Sequence, residues 1–229
     1  MGFLKTKRTL KMSRYTISLA TILLWGFVPS HSGAVEDGLS LGSTLKFSAG
    51  VVSAFLIHEG AHALVARATN TDMDWEIGTI NQPIAFTEHA NSDSKGWAIN
   101  SAGLVSQAVG AEIILQVDKI DKNDAFVRGM MTWNILNPIF YSLDYWVFHT
   151  TNKIDGNNYQ GDIAGIEHYS NKATADAFAL SMSAIAVFQG YRFLKTQSWA
   201  PDWLRDNSYT LSLTPLPSGG FIVGYKFDF

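Results

Sequence analysis

His58-Glu59-Gly60-Ala61-His62 is the stretch whose residue types and spacing can do chemistry. On a helix, side chains four apart lie on one face about one turn up. His58 and His62 can then hold one metal ion between them, and Glu59, one step round, can reach a water on that ion. Two imidazoles, an open coordination position and a carboxylate base are the working parts of a zinc peptidase. In such a hydrolase zinc brings the pKa of the water to about 7. Glu59 takes the proton and returns it to the leaving amine. The plainer alternative is a pair of satisfied core histidines beside a surface glutamate.

The element that must carry these residues is an apolar helix. Lys46 and Arg67 bracket twenty residues, Phe47 to Ala66, whose only ionisable groups are His58, Glu59 and His62. Twenty helical residues span roughly 30 Å, the thickness of a bilayer core. Three ionisable groups on such a helix are costly unless paired or metal-bound. Ser43 or Thr44 can cap its start, and Thr69-Asn70-Thr71-Asp72 ends it with turn formers.

The rest of the chain frames that helix. Charged residues make up 16% of the 229, low for a soluble domain, while 47% are hydrophobic. The pattern is several apolar helices joined by long polar segments. Net charge is −3 and no basic cluster lies beyond the N-terminus, which argues against a nucleic-acid partner. The absence of cysteine excludes disulfides and thiolate zinc sites.

Residues 1–34 read as an export signal: Lys5, Lys7, Arg8, Lys11 and Arg14 precede the short apolar run Tyr15 to Val28. Ser32-Gly33-Ala34 offers a cleavage site. An uncleaved N-terminal anchor is the alternative. Residues 35–200 form the helical metallopeptidase-like domain. Within it, two short strands, Met73–Ile77 and Ile84–Glu88, make a hairpin after the motif helix. Apolar helices follow at Trp97–Val117, Arg128–Phe148 and Lys172–Thr196, and Pro138 should kink or break the second of these. Residues 149–161 read as a loop, and Asp162 opens a further helical element. Residues 201–229 are a C-terminal hairpin, alternating on both sides of Pro217-Ser218-Gly219-Gly220. The expected fold is therefore mainly α: a membrane-associated helical bundle with a small β-hairpin after the motif helix and another at the C-terminus.

With these elements in place the chain resembles the site-2 protease family of membrane-embedded zinc metalloproteases, over roughly residues 45–170. His58-Glu59-Gly60-Ala61-His62 matches the first family motif, and the hairpin after it matches the family's order of elements. Ser101-Ala102-Gly103-Leu104 sits where the family has an Ala-Gly-Pro helix, with Leu104 in place of proline. The resemblance implies a third ligand that is a downstream aspartate. Asn134 to Pro138 followed by Leu143-Asp144 is similar to the family segment, with Tyr145 where the family has glycine. Gly161-Asp162 resembles the smaller bacterial relatives. Asp162 is preferred because a loop-to-helix junction can turn a carboxylate inward; otherwise it is an N-cap, and Asp144 a helix-end residue beside His149. A metzincin needs a third histidine where Ala68 stands, and a thermolysin-like layout would need a glutamate such as Glu112.

Asn100, Asn134 and Asn137 can serve a substrate backbone or simply bond between helices. His89, His149 and His168 fall in or near polar loops. The implied function is a Zn2+-dependent metallopeptidase of the cell envelope, acting on a protein or peptide in contact with membrane lipid, with the inner membrane the expected location. Two other readings stand beside it: a non-catalytic scaffold or adaptor with a zincin-like helix, and a soluble periplasmic zincin whose motif helix is wholly buried.

Overall fold

The structure is a computed structural model that describes residues 40–79, 82–155 and 158–205, and the strands 209–215 and 221–227. The export-signal reading of residues 1–34 lies outside the described residues. The described chain is mainly helical, with three separate antiparallel strand pairs.

Helix α1 (Leu41–Ala68) carries the motif. It begins before Ser43 and Thr44, so both sit inside its first turn and neither is the cap. Strands β1 (Met73–Thr79) and β2 (Gln82–Glu88) form the expected hairpin, longer than the sequence suggests, with Trp75 opposite Phe86. Helix α2 runs Asp93–Gln116 and helix α3 Ala125–Leu143. Pro138 lies inside α3, which continues through it without a break. Proline removes one amide from the ladder, and burial in the bundle holds the helix together across the gap. A five-residue π-turn, Asp144–Phe148, extends α3 and stops at His149, whose φ is 50°. The expected loop then contains the small hairpin β3 (Lys153–Asp155) and β4 (Asn158–Gln160). Helices α4 (Asp162–His168), α5 (Lys172–Lys195) and α6 (Asp202–Arg205) follow. The C-terminal hairpin pairs β5 (Tyr209–Pro215) with β6 (Phe221–Phe227).

Helices α1, α2, α3 and α5 make the bundle. Lys46 pairs with Asp124 near the start of α1 and α3, Phe55 meets Trp133 further along, and His58 meets Tyr141. These two helices therefore run the same way. Ser142 bonds to Ala179 while Ile135 abuts Gly190, so α5 runs opposite to α3. Two glycines bring α1 and α3 into backbone contact. A Cβ on Gly50 would lie 2.0 Å from the Phe126 carbonyl oxygen, and one on Gly129 would lie 2.0 Å from that of Phe47. Small residues at a crossing let helices approach this closely, a packing device common inside membranes.

Among the described residues three helices, α1, α2 and α5, are long and apolar enough to cross a membrane. Large apolar side chains stand exposed along them: Leu45, Val52, Leu56 and Leu64 on α1, Val105, Val109 and Ile113 on α2, Leu180 and Val187 on α5. Apolar surface spread over neighbouring helices is the mark of a lipid or protein contact. The motif helix is buried along one face only, and not wholly as the soluble reading expected of it.

Candidate metal centre

Helical spacing puts His58 and His62 on the face of α1 turned toward α2. Their relative exposures are 2% and 0%. Their Nε2 atoms lie 3.3 Å apart. The third member arrives from a different part of the chain. Asp162, at the first turn of α4, places Oδ2 3.2 Å from Nε2 of His58 and 3.5 Å from Nε2 of His62. These three residues, all buried, are a group that could hold a metal ion.

The donor set and its shape fit an ion. A tetrahedral zinc with bonds of about 2.05 Å separates its ligand atoms by about 3.3 Å, the size of this triangle. The Nδ1 of His62 donates to the carbonyl of Ile99 at 2.6 Å, which leaves the Nε2 lone pair free to ligate; such a partner is how metal-binding histidines are oriented. Oδ2 of Asp162 is buried and lacks a hydrogen-bond partner of its own. A bare imidazole nitrogen facing a carboxylate oxygen in a dry interior is costly until a cation or proton lies between them.

Gly103 forms the wall of this site. A Cβ there would lie 2.4 Å from Nε2 of His62 and 2.5 Å from Nε2 of His58. The missing side chain leaves room at the edge of the triangle where an ion would sit. Gly103 thus serves the site as well as the close packing of α2.

Glu59 is buried beside the group, with His58, Asp162 and His62 as its charged neighbours. Gly60, the next residue, faces open space. Phe86 of β2 packs against the His62 ring at 4.7 Å, so the first hairpin closes over the site.

The structure keeps Asp144 and Glu112 out of the metal group. Oδ1 of Asp144 accepts from the Thr150 amide and hydroxyl, and Oδ2 from the amide and hydroxyl of Thr151 and the amide of Asn152. Burial pushes this carboxyl up, but the Thr150 and Thr151 hydroxyls and the Thr151 and Asn152 amides outweigh it, and the group sits below its ordinary value. Asp144 still serves the site at a distance. Asn152 in turn accepts the Ile163 amide at 3.2 Å, so the loop that Asp144 organises holds the start of α4. Glu112 accepts both close contacts of Arg192, at 2.7 and 2.9 Å, and lies nine residues, or about 13 Å, further along α2 than Gly103.

The remaining candidates have ordinary partners. Asn137 donates to Gln107 at 3.0 Å, an interhelical bond. Asn100 donates to Glu88 and to the Gly96 carbonyl, while Asn134 is buried in α3. His89 pairs with Asp74 at 2.8 Å on the surface, and His168 packs tilted against Tyr159 and edge-on against Tyr169. His149 ends the π-turn. Sequence reasoning missed the Ile99 carbonyl, Gly103 as a wall, and Glu88, a buried carboxylate that accepts from Asn100 and Tyr159. Gly103 was visible within a small-residue run; the carbonyl and the Glu88 network leave no local pattern.

No protein-family profile, curated protein or solved structure matches this chain.

Proposed function

We propose that this chain is a zinc-dependent metallopeptidase of the cell envelope, embedded in the inner membrane. The observation that carries the reading is the buried triangle of His58, His62 and Asp162 with Glu59 against it. The resemblance of the motif and its flanking elements to site-2 proteases adds support, as do the three helices long enough to span a bilayer. Residues 1–34, read as an export signal, favour the envelope.

Two histidines and one aspartate leave a fourth position open and match the donor types of catalytic zinc sites. Zinc held there would supply a Lewis acid and a water acidic enough to react near neutral pH. The chain supplies the remainder. Ile99 holds the His62 ring, and Asp144, through Asn152, holds the helix that presents Asp162. Glu59 accepts a proton from the attacking water as the new C–O bond forms. The same carboxyl then returns it to the amide nitrogen as the C–N bond breaks, leaving an acid and an amine.

The test is metal content of the full chain purified in detergent without chelator, joined to peptide-bond hydrolysis of an unfolded protein such as casein. About one zinc per chain, with hydrolysis lost in Glu59→Gln while zinc stays, supports the reading. Zinc retained with no hydrolysis in either form points to a metal-binding scaffold. No zinc in the intact chain overturns the metal centre itself.

A further inference from the structure

Tyr141 ends the face of α3 that meets the metal group. Its ring tilts against His58 with centroids 5.9 Å apart. One side of the ring packs on the cluster around Leu104, Ile163 and Ile166, which holds it in place. The neighbouring tyrosines have their hydroxyls engaged: Tyr145 donates to Glu167, and Tyr159 to Glu88. The Tyr141 hydroxyl has no hydrogen-bond partner among the described residues. The carboxylates that act on it are Asp162, Glu59 and Asp144. Asp144 is fully engaged by residues 150–152, which leaves the two that flank the metal group.

Tyr141 is half-buried, and a tyrosine packed against a core ordinarily finds a partner for its hydroxyl. An unspent donor beside a hydrolytic centre has a natural acceptor: the oxygen that becomes negative when a carbonyl is attacked. A neutral phenol holds its proton at pH 7 and donates without neutralising the site. Beside the buried metal group such a fixed donor is worth more than in bulk water.

We propose that Tyr141 is a catalytic residue, the hydrogen-bond donor that stabilises negative charge on the carbonyl oxygen of the scissile peptide. This rests on the reading of the site as a hydrolytic metal centre. Among the described residues Tyr141 combines a ring against a candidate ligand with a hydroxyl free to donate, whereas Tyr145 has the same chemistry with its donor already used.

Cobalt-loaded full chain in detergent provides the test, because its visible spectrum reports on the metal without any need for the natural substrate. The probe is phenylphosphonate, a small tetrahedral anion. The wild type should hold about one cobalt and show a spectral change that saturates with phosphonate. Tyr141→Phe should keep its cobalt and bind the phosphonate roughly ten- to hundred-fold more weakly, the size of a lost hydrogen bond to a charged group. Tyr145→Phe should bind it as the wild type does. Equal affinity in Tyr141→Phe and the wild type overturns the proposal. So does loss of cobalt in Tyr141→Phe, which would make the residue structural. Cobalt bound with no response to phosphonate in the wild type overturns it too, while leaving the metal centre standing. No cobalt in the wild type removes the metal centre and Tyr141's role together.

Discussion

A methyl group on Gly103 would reach to 2.4 Å from Nε2 of His62, closer than any non-bonded carbon can come to that nitrogen. The glycine of one helix thus keeps clear the ligating edge of another. Gly103→Ala should retain helix content by circular dichroism and lower metal affinity by roughly ten- to hundred-fold or more, the range seen when the supports of a metal site are disturbed. Metal stoichiometry after dialysis against a weak chelator reads the effect. Full retention of metal would mean that the backbone of α2 can retreat.

Two of the candidate third ligands, Asp162 and Glu112, should separate cleanly. Asp162→Ala should lose the metal as His58→Ala does, because each removes one corner of the triangle. Glu112→Gln should keep it, since Glu112 is held by Arg192 and lies about 13 Å along the helix from Gly103. Metal analysis on the three variants decides the third ligand.

Glu59→Gln should bind about one zinc per chain and lose roughly 10²- to 10⁴-fold in hydrolysis, the usual contribution of a positioned base. The amide keeps the shape of the side chain and cannot accept the proton. Unchanged activity would remove Glu59 from the mechanism.

Acid should loosen the loop that carries Asp162 to its place. The Asp144 carboxyl is held below its ordinary value by the donors of residues 150–152. A depressed carboxyl stabilises the fold above its unfolded pKa, near 3.9, and the contribution fades as pH falls through the lower folded value. Asp144→Asn should therefore be less stable than the wild type at neutral pH, by about 2 kcal/mol, and the gap should narrow below about pH 4. Thermal unfolding in detergent across that window is the measurement; a gap independent of pH would contradict it.

Gly161 sits at φ 88° immediately before Asp162, and a Cβ there would also strike Oδ1 of Asn152 at 2.5 Å. Gly161→Ala should cost about 1–3 kcal/mol from its glycine-only backbone conformation alone and should weaken metal binding by displacing the start of α4. Equal metal affinity in the variant would show that Asp162 is held by α4's packing and does not depend on the turn.

The apolar helices, the hairpin after the motif and the His58/His62 pair were legible because each depends on local periodicity. A run of apolar residues, an alternation or a four-residue spacing is written directly in the chain. The β3–β4 hairpin was not, because three-residue strands are too short to show a period. Nor was the continuity of α3 through Pro138, where tertiary packing overrides a local breaker.

By itself, then, the sequence determined the helix that carries two imidazoles and a carboxylate, the apolar character of the helices around it, and the absence of thiolate chemistry. It left Asp162, Asp144 and Glu112 as competing partners, because a ligand about a hundred residues away has no spacing rule to identify it. Only the tertiary structure shows which of them reaches the two histidines. The loop organised by Asp144 swings α4 onto the motif helix, placing Asp162 3.2 Å from His58, while Asp144 spends its own carboxylate on that loop. The physical reason is that a ligand set is a meeting of distant segments, and which carboxylate arrives uncommitted depends on the hydrogen bonds each has already made.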